Sequence, residues 1–184
     1  LALREFVPAD VDDLDRLDRD PRVVRYVLSG KPATRAETEA TIRRIVRYYR
    51  LYPEFGAWYA TRRDTGAFIG WFSLKYAGKS PDVEIGYRLL PDAWGQGFAT
   101  EGATALLNFG FDELGLYRII GVTDPGNRAS QRVLLKAGLE ERVVERIGAA
   151  HDAAIKHPPH DDLLVQLVHV ELVREQRVQR RAIE

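Results

Sequence analysis

Trp94-Gly95-Gln96-Gly97-Phe98-Ala99-Thr100-Glu101 is the stretch on which the fold turns. It follows an alternating apolar run, Val83 to Leu90, and a Pro91-Asp92 break. It leads into Ala103, Leu106, Leu107, Gly110, Phe111 and Leu114, whose spacing is that of a helix with one face on a core. A strand, a glycine loop and a helix in succession gather unpaired backbone N–H groups at one point. The first N–H groups of a helix have no intrahelical partner, and the helix dipole adds partial positive charge there. Glycine lets the main chain approach a ligand closely. Such a turn seats a phosphate or pyrophosphate, or is simply a tight strand-to-helix connection.

Spelling excludes two other glycine loops. A P-loop needs Gly-x-x-x-x-Gly-Lys-Ser/Thr, and no Lys follows Gly97. A dinucleotide fingerprint needs Gly-x-Gly-x-x-Gly, but Thr100 stands at the third glycine position and Gly102 is out of spacing. A second segment is as informative. Tyr117-Arg118-Ile119-Ile120-Gly121-Val122 reads as a short buried strand, and Asp124-Pro125-Gly126-Asn127 as a turn. A helix from Arg128 to Lys136 follows and stops at Gly138.

Together these segments resemble the acetyl-CoA-binding core of the GNAT N-acetyltransferase superfamily. That family's loop reads Gln/Arg-x-x-Gly-x-Gly/Ala, and residues 94–99 fill it except at the first position. The wording Trp-Gly-x-Gly-aromatic-Ala-Thr-Glu, with Asn127-x-x-Ser130 and Lys136-x-Gly138-Leu139 behind it, resembles the Rim-type branch of ribosomal-protein N-terminal acetyltransferases. The resemblance spans roughly Leu3 to Leu139. It implies an α/β (α+β) GNAT fold, a mixed sheet of about seven strands flanked by helices, in which strands four and five splay apart.

Bulk properties agree with one soluble domain. With 184 residues the chain can bury roughly two-thirds of its unfolded surface. Hydrophobic residues make up 45% and charged residues 29%. Lys+Arg and Asp+Glu each total 27, so net charge is zero, which argues against a nucleic-acid partner. No cysteine is present, which excludes disulfides, thiolate metal ligands and a Cys nucleophile. No signal-peptide pattern and no apolar run of about 20 residues appears, so neither export nor a membrane span is expected and the setting is cytoplasmic. A homodimer is compatible with the sequence. The expected domain covers residues 1–173, followed by a basic tail, 174–184.

Further elements follow from local patterning. Leu3 to Val7 suits a first strand, ended by Pro8, with Asp10 as N-cap of a short helix carrying Val11, Leu14 and Leu17. Thr34 to Tyr49 is a stronger helix, opened by a Thr34-x-x-Glu37 capping box and carrying Ile42, Ile45, Val46 and Tyr49 on one face. Strands Ala57–Arg62 and Phe68–Lys75 are joined by Asp64-Thr65-Gly66 as a hairpin, and Val83–Leu90 is the next strand. Leu139–Ile147 and Leu163–Val173 are expected as late strands around a polar loop, 148–162, that holds His151, His157 and His160.

The resemblance also assigns roles. Acetyl-CoA is the implied cosubstrate, with no metal. Its pyrophosphate would rest on Trp94, Gly95, Gln96, Gly97, Phe98, Ala99 and Thr100, and its pantetheine arm on the strand backbone of Tyr87 to Leu90, with an N–H near Leu89 or Leu90 as donor to the developing oxyanion. Asn127 either contacts that arm or caps its helix; Ser130 either donates to the leaving thiolate or caps. Lys136 meets a phosphate or is solvated. Many relatives carry a tyrosine seven positions after the asparagine, where this chain has Leu134. Glu84, on the strand, is the leading candidate base, or else an exposed glutamate paired with Arg88. Tyr26, Phe55, Trp58 and Trp71 either line an acceptor pocket or pack in the core. The six aspartates and two arginines of Asp10–Asp20 either draw a cationic acceptor or form a solvated helix face. The acceptor is a primary amine, on a protein N-terminus or a small molecule such as an aminoglycoside, polyamine or amino acid. A non-catalytic acyl-CoA-binding module is the remaining alternative.

Overall fold

The computed structural model describes residues 1–27, 30–78, 80–142 and 168–173. The loop with His151, His157 and His160, the tail from Arg174, and the outer parts of the two late strands lie outside the described residues.

Among the described residues, seven strands form one sheet: β1 (Ala2–Glu5), β2 (Gly56–Thr61), β3 (Phe68–Tyr76), β4 (Val83–Leu89), β5 (Arg118–Thr123), β6 (Glu140–Arg142) and β7 (Val168–Val173). Their order is β1-β2-β3-β4-β5-β7-β6. β1 to β4 form an antiparallel meander, and the β2–β3 connection is the expected Asp64-Thr65-Gly66 hairpin, with Gly66 at φ 71°. β4 and β5 are parallel. A parallel pair requires a crossover, which the helix after the glycine loop supplies.

Among the described residues, five α-helices cover the two faces: α1 (Val11–Arg19), α2 (Pro21–Val24), α3 (Arg35–Leu51), α4 (Phe98–Asn108) and α5 (Arg128–Lys136). The capping box at α3 is present, with Thr34 Oγ1 accepting from the Glu37 N–H and Glu37 Oε2 accepting from the Thr34 N–H at 2.7 Å. Asp10 stands at the α1 N-cap position, yet its carboxylate does not cap α1. It turns back instead, accepting from the Val7 N–H at 2.8 Å and from both Arg4 terminal nitrogens at 2.7 Å. Against the desolvation of burial, these donors hold the Asp10 carboxyl below its ordinary range. The stripe expected to run to Leu114 is interrupted: α4 widens into a π turn at Phe109–Glu113. There the space beside Gly110 is filled by Ile119 Cδ1, 2.7 Å from where a Cβ would sit.

Strand alternation divides the sheet into two packed faces. On one, Phe72, Leu74, Val83, Ile85, Leu89 and Ile119 pack with Ala103, Leu106 and Leu107 of α4 and Leu134 of α5. On the other, Tyr59 and Phe68 pack with Phe6, Leu14 and Leu17, Val23 of α2 and Ile42 of α3. Glu84, Gly86 and Arg88 share this second face with Trp71, Ser73 and Lys75, which stand opposite them in the β3–β4 register.

Candidate active site

β4 and β5 stay paired for only three residues each: Val83 with Ile119, Glu84 with Ile120, Ile85 with Gly121. From Gly86 onward β4 has no partner on its β5 side, so a wedge opens toward the carboxyl ends of both strands. Both strands then lead into helices, so the N-termini of α4 and α5 flank that opening. The free edge of β4 can be read from its ladder. The Leu90 N–H donates to Ile69 O at 2.9 Å. Alternation in an antiparallel ladder then turns the N–H groups of Tyr87 and Leu89 away from β3, toward the wedge. Of the two strand-end amides expected to face a ligand, Leu90's is therefore engaged by β3 and Leu89's faces the opening.

The loop beyond β4 is held by side chains that leave its amides alone. The Trp94 indole Nε1 donates to Leu89 O at 2.8 Å. Gln96 Nε2 donates to Asp92 O at 2.5 Å, and Gln96 Oε1 accepts from Arg62 at 2.9 Å. Arg62 in turn is braced by Asp64 at 2.8 Å and lies 5.3 Å from the Phe98 ring centre, which sets a cation against the loop. Gly95 at φ 72° and Gly97 at φ 85° take the left-handed conformation that glycine allows at no steric cost. Among the described residues, the amides of Gly95, Gln96, Gly97, Phe98, Ala99 and Thr100 have no hydrogen-bond partner; Glu101, bonded to Gly97 O at 2.9 Å, is the first that does. A Cβ built at Gly95 or Gly97 meets nothing within 4 Å, so the space before these amides is open. Six consecutive free donors at the positive end of an eleven-residue helix form a seat suited to a phosphate-bearing anion.

Across the wedge, Asn127 caps α5: its Oδ1 accepts from the Ser130 N–H at 3.1 Å. Ser130 Oγ lies 2.9 Å from the Tyr87 hydroxyl, which also approaches Ser130 O at 3.1 Å. Burial pushes the Tyr87 phenol up to about 12, against the pull of Ser130. Leu134 is buried in the core, and Lys136 is exposed at the end of α5.

The second face holds the charged groups. Arg88 pairs with Asp18 of α1, and the two side chains are only 12% and 5% exposed. Burial pushes the Asp18 carboxyl up, opposed by Arg88. The Arg88 guanidinium also lies 5.2 Å from the Trp71 ring centre. Glu84 stands opposite Lys75 in the ladder. Desolvation lowers the Lys75 ammonium pKa, and the neighbouring Glu84 charge raises it in part. Ser73 Oγ is buried between these pairs without a hydrogen-bond partner.

The four aromatic candidates are divided by the fold. Tyr26 lies against the β5–α5 turn, with its ring 3.2 Å from where a Gly126 Cβ would be, and Trp71 lies beside Arg88. Phe55 is buried against Tyr76, ring centres 5.0 Å apart, and Trp58 meets Phe109 at 6.3 Å on the α4 side. Sequence reasoning missed Arg62, Asp18 and the Tyr87 side chain. Only the tertiary fold brings Arg62 to Gln96, Asp18 to Arg88 and Tyr87 to Ser130, so no local spacing signals them.

The family model for the acetyltransferase (GNAT) domain matches residues 1–140. The chain is 34% identical over 132 residues to FsC-acetyl coenzyme A-N(2)-transacetylase of Aspergillus fumigatus, covering 67% of this chain and 55% of that protein. It is 34% identical over 150 residues to the uncharacterized N-acetyltransferase YoaA of Bacillus subtilis, covering 79% of this chain and 82% of the relative. This chain therefore spans about half the length of the first relative and most of the second. The solved structure of a GNAT-family acetyltransferase from Bacillus anthracis superposes with a TM-score of 0.75 at 22% identity, covering 93% of each chain, which shows the shared fold.

Proposed function

The chain belongs to the acetyltransferase (GNAT) domain family, and on that premise we propose that it transfers the acetyl group of acetyl-CoA to a primary amine in a ternary complex. The observation that carries this reading is the row of unpartnered amides from Gly95 to Thr100 beside the open edge of β4. A hydrogen bond to a charged acceptor is about twice as strong as a neutral one, so these donors favour a diphosphate over water. The free edge of β4 at Tyr87 presents its amide to an extended amide-bearing arm, as in strand addition, which leaves the Leu89 N–H for the thioester. Bound there, the thioester supplies an activated acetyl group.

The chain's own residues meet the remaining demands. A lysine ammonium has a pKa of about 10.4 and an α-amino group about 8, so the acceptor must lose a proton before it attacks. Glu84 takes that proton, directly or through water, from the second face of β4. The Leu89 N–H faces the carbonyl oxygen on which negative charge develops. Ser130 stands at the wedge as donor to the departing sulfur. Holding both substrates between α1 and the wedge converts a bimolecular encounter into a local one.

For the acceptor, the Rim-type wording of the glycine loop favours a protein N-terminus. A small-molecule amine is the second reading, favoured by the N(2)-transacetylase name of the Aspergillus relative. Isothermal titration with CoA, followed by CoA release against free-N-terminal peptides, polyamines, aminoglycosides and amino acids, tests both. Turnover confined to peptides supports the first acceptor class. Binding without turnover of any amine identifies a non-catalytic module, and absence of CoA binding refutes the reading.

A further inference from the structure

Tyr87 reaches from β4 across the wedge to α5, and nothing in the reaction outlined above employs its side chain. The ring is half-buried and tilted on Phe72, with ring centres 5.9 Å apart. Its hydroxyl is 2.9 Å from Ser130 Oγ and 3.1 Å from Ser130 O. A phenol has one proton to give. When it goes to the carbonyl, the Ser130 hydroxyl can point back at the phenol oxygen. When it goes to Ser130 Oγ, the serine proton must point elsewhere. The Ser130 N–H is committed to Asn127, so residue 130 is pinned at its backbone and only the hydroxyl rotor is free.

We propose that Tyr87 is a positioning residue that donates to Ser130 Oγ and thereby turns the Ser130 hydroxyl proton into the wedge, where it binds the sulfur of coenzyme A. The inference rests on the wedge being the coenzyme A site. As the carbon–sulfur bond breaks, its electron pair goes to sulfur. The balancing proton leaves the attacking nitrogen through the base, and Ser130 stabilises the thiolate by a hydrogen bond without losing its own proton. Because burial holds the phenol up at about 12, Tyr87 stays protonated, and so remains a donor, throughout the neutral range.

The test uses CoA itself. Thiolate ultraviolet absorbance of bound CoA is followed against pH in the wild type, Tyr87→Phe, Ser130→Ala and the double variant. A free thiol titrates near 8.5, and each substitution is expected to raise the bound value by about one unit, a tenfold loss of thiolate. The double variant should shift no further than either single one. Tyr87→3-fluorotyrosine keeps the ring, makes the phenol a stronger donor and should move the bound thiol down; it serves even where Tyr87→Phe does not fold. In steady state, kcat should fall about tenfold in Tyr87→Phe with KM for acetyl-CoA unchanged. The proposal is overturned if Ser130→Ala raises the bound thiol pKa and neither Tyr87 variant moves it, or if no variant moves it. Calorimetry that finds no CoA bound to the wild type sinks the site assignment as well, which tells the two failures apart.

Discussion

Gly102→Ala is the substitution that most directly couples the packing of α4 to ligand affinity. Gly102 is buried near the start of α4, over β3. A Cβ there would lie 2.2, 2.3 and 2.7 Å from Cζ, Cε1 and Cε2 of Phe72. Ring and helix would have to part by about 1.3 Å to regain ordinary carbon–carbon contact. Phe72 is fully buried and flanked by Tyr87, so the ring has little room and the helix must move. Overpacking of this kind costs about 1–3 kcal/mol, and alanine's better helix propensity offsets about 1 kcal/mol of it. The net loss of about 1 kcal/mol corresponds to about 2–4 °C in Tm for a chain of this size.

The larger effect should be on CoA. Hydrogen bonds weaken steeply outside a few tenths of an ångström, so a displacement of about 1.3 Å at the first turns of α4 removes at least one amide–phosphate bond. A hydrogen bond to a charged group is worth about 1.5–3 kcal/mol, so Kd for CoA should rise about tenfold to a hundredfold. Calorimetry gives the affinity, thermal melting the stability, and circular dichroism the integrity of the fold. Adding Phe72→Leu should restore much of the affinity by making room, a coupling that a double-mutant cycle would report. A folded Gly102→Ala protein with wild-type CoA affinity would refute the idea that this contact sets the phosphate seat.

Gly97→Val forces a branched residue to φ 85° and fills open space before the amides; CoA affinity by calorimetry should fall at least tenfold, and an unchanged Kd in a folded variant contradicts the seat. Asn127→Ala removes the α5 cap, about 1 kcal/mol of stability, and should lower kcat/KM by more than that loss explains; a large Tm drop with normal kinetics would reduce Asn127 to a cap. Arg88→Met leaves the buried Asp18 carboxylate without its partner, about 3–5 kcal/mol by chemical denaturation, whereas Arg88→Met with Asp18→Leu should recover most of it; equal losses in both variants would argue against the pair. Burial pushes the Tyr49 and Tyr87 phenols up to about 12 and raises Tyr48 as well. Folded values above the ordinary value mean stability is fully present below about pH 10 and lost as pH rises through about 12; a Tm that stays flat across that window would exclude these tyrosines as the cause.

The legible parts of the chain were those where local rules and tertiary needs agree. The Thr34–Glu37 capping box, the Asp-Thr-Gly hairpin and the α5 span, Arg128–Lys136, are each set by neighbours within four residues. Asp10 was misread because two equally local solutions compete for one carboxylate, and Arg4, from the preceding strand, decides between them. The π turn at Phe109 was illegible because the apolar spacing of Leu107, Gly110, Phe111 and Leu114 runs through it without a break. At the site, the glycine loop announced itself because left-handed backbone demands glycine. Glu84 could be placed on a face, but Asp18 could not be placed beside Arg88, because only the tertiary fold brings α1 over the sheet.

The wedge itself is made by bonds that the end of β4 forms elsewhere. Leu90 N–H is bonded to Ile69, and Leu89 O accepts from the Trp94 indole. Gly70 lets β3 close on this stretch: a Cβ there would lie 2.1 Å from Arg88 O and 2.7 Å from Leu89 Cα. These contacts bind the last residues of β4 to β3 and to the loop, so the strand follows β3 rather than continuing beside β5. Leu89 has spent its carbonyl and kept its N–H, the polarity needed to meet a ligand carbonyl. A ligand laid along this edge therefore displaces no β4–β5 pairing, which removes one of the costs of ordering it there.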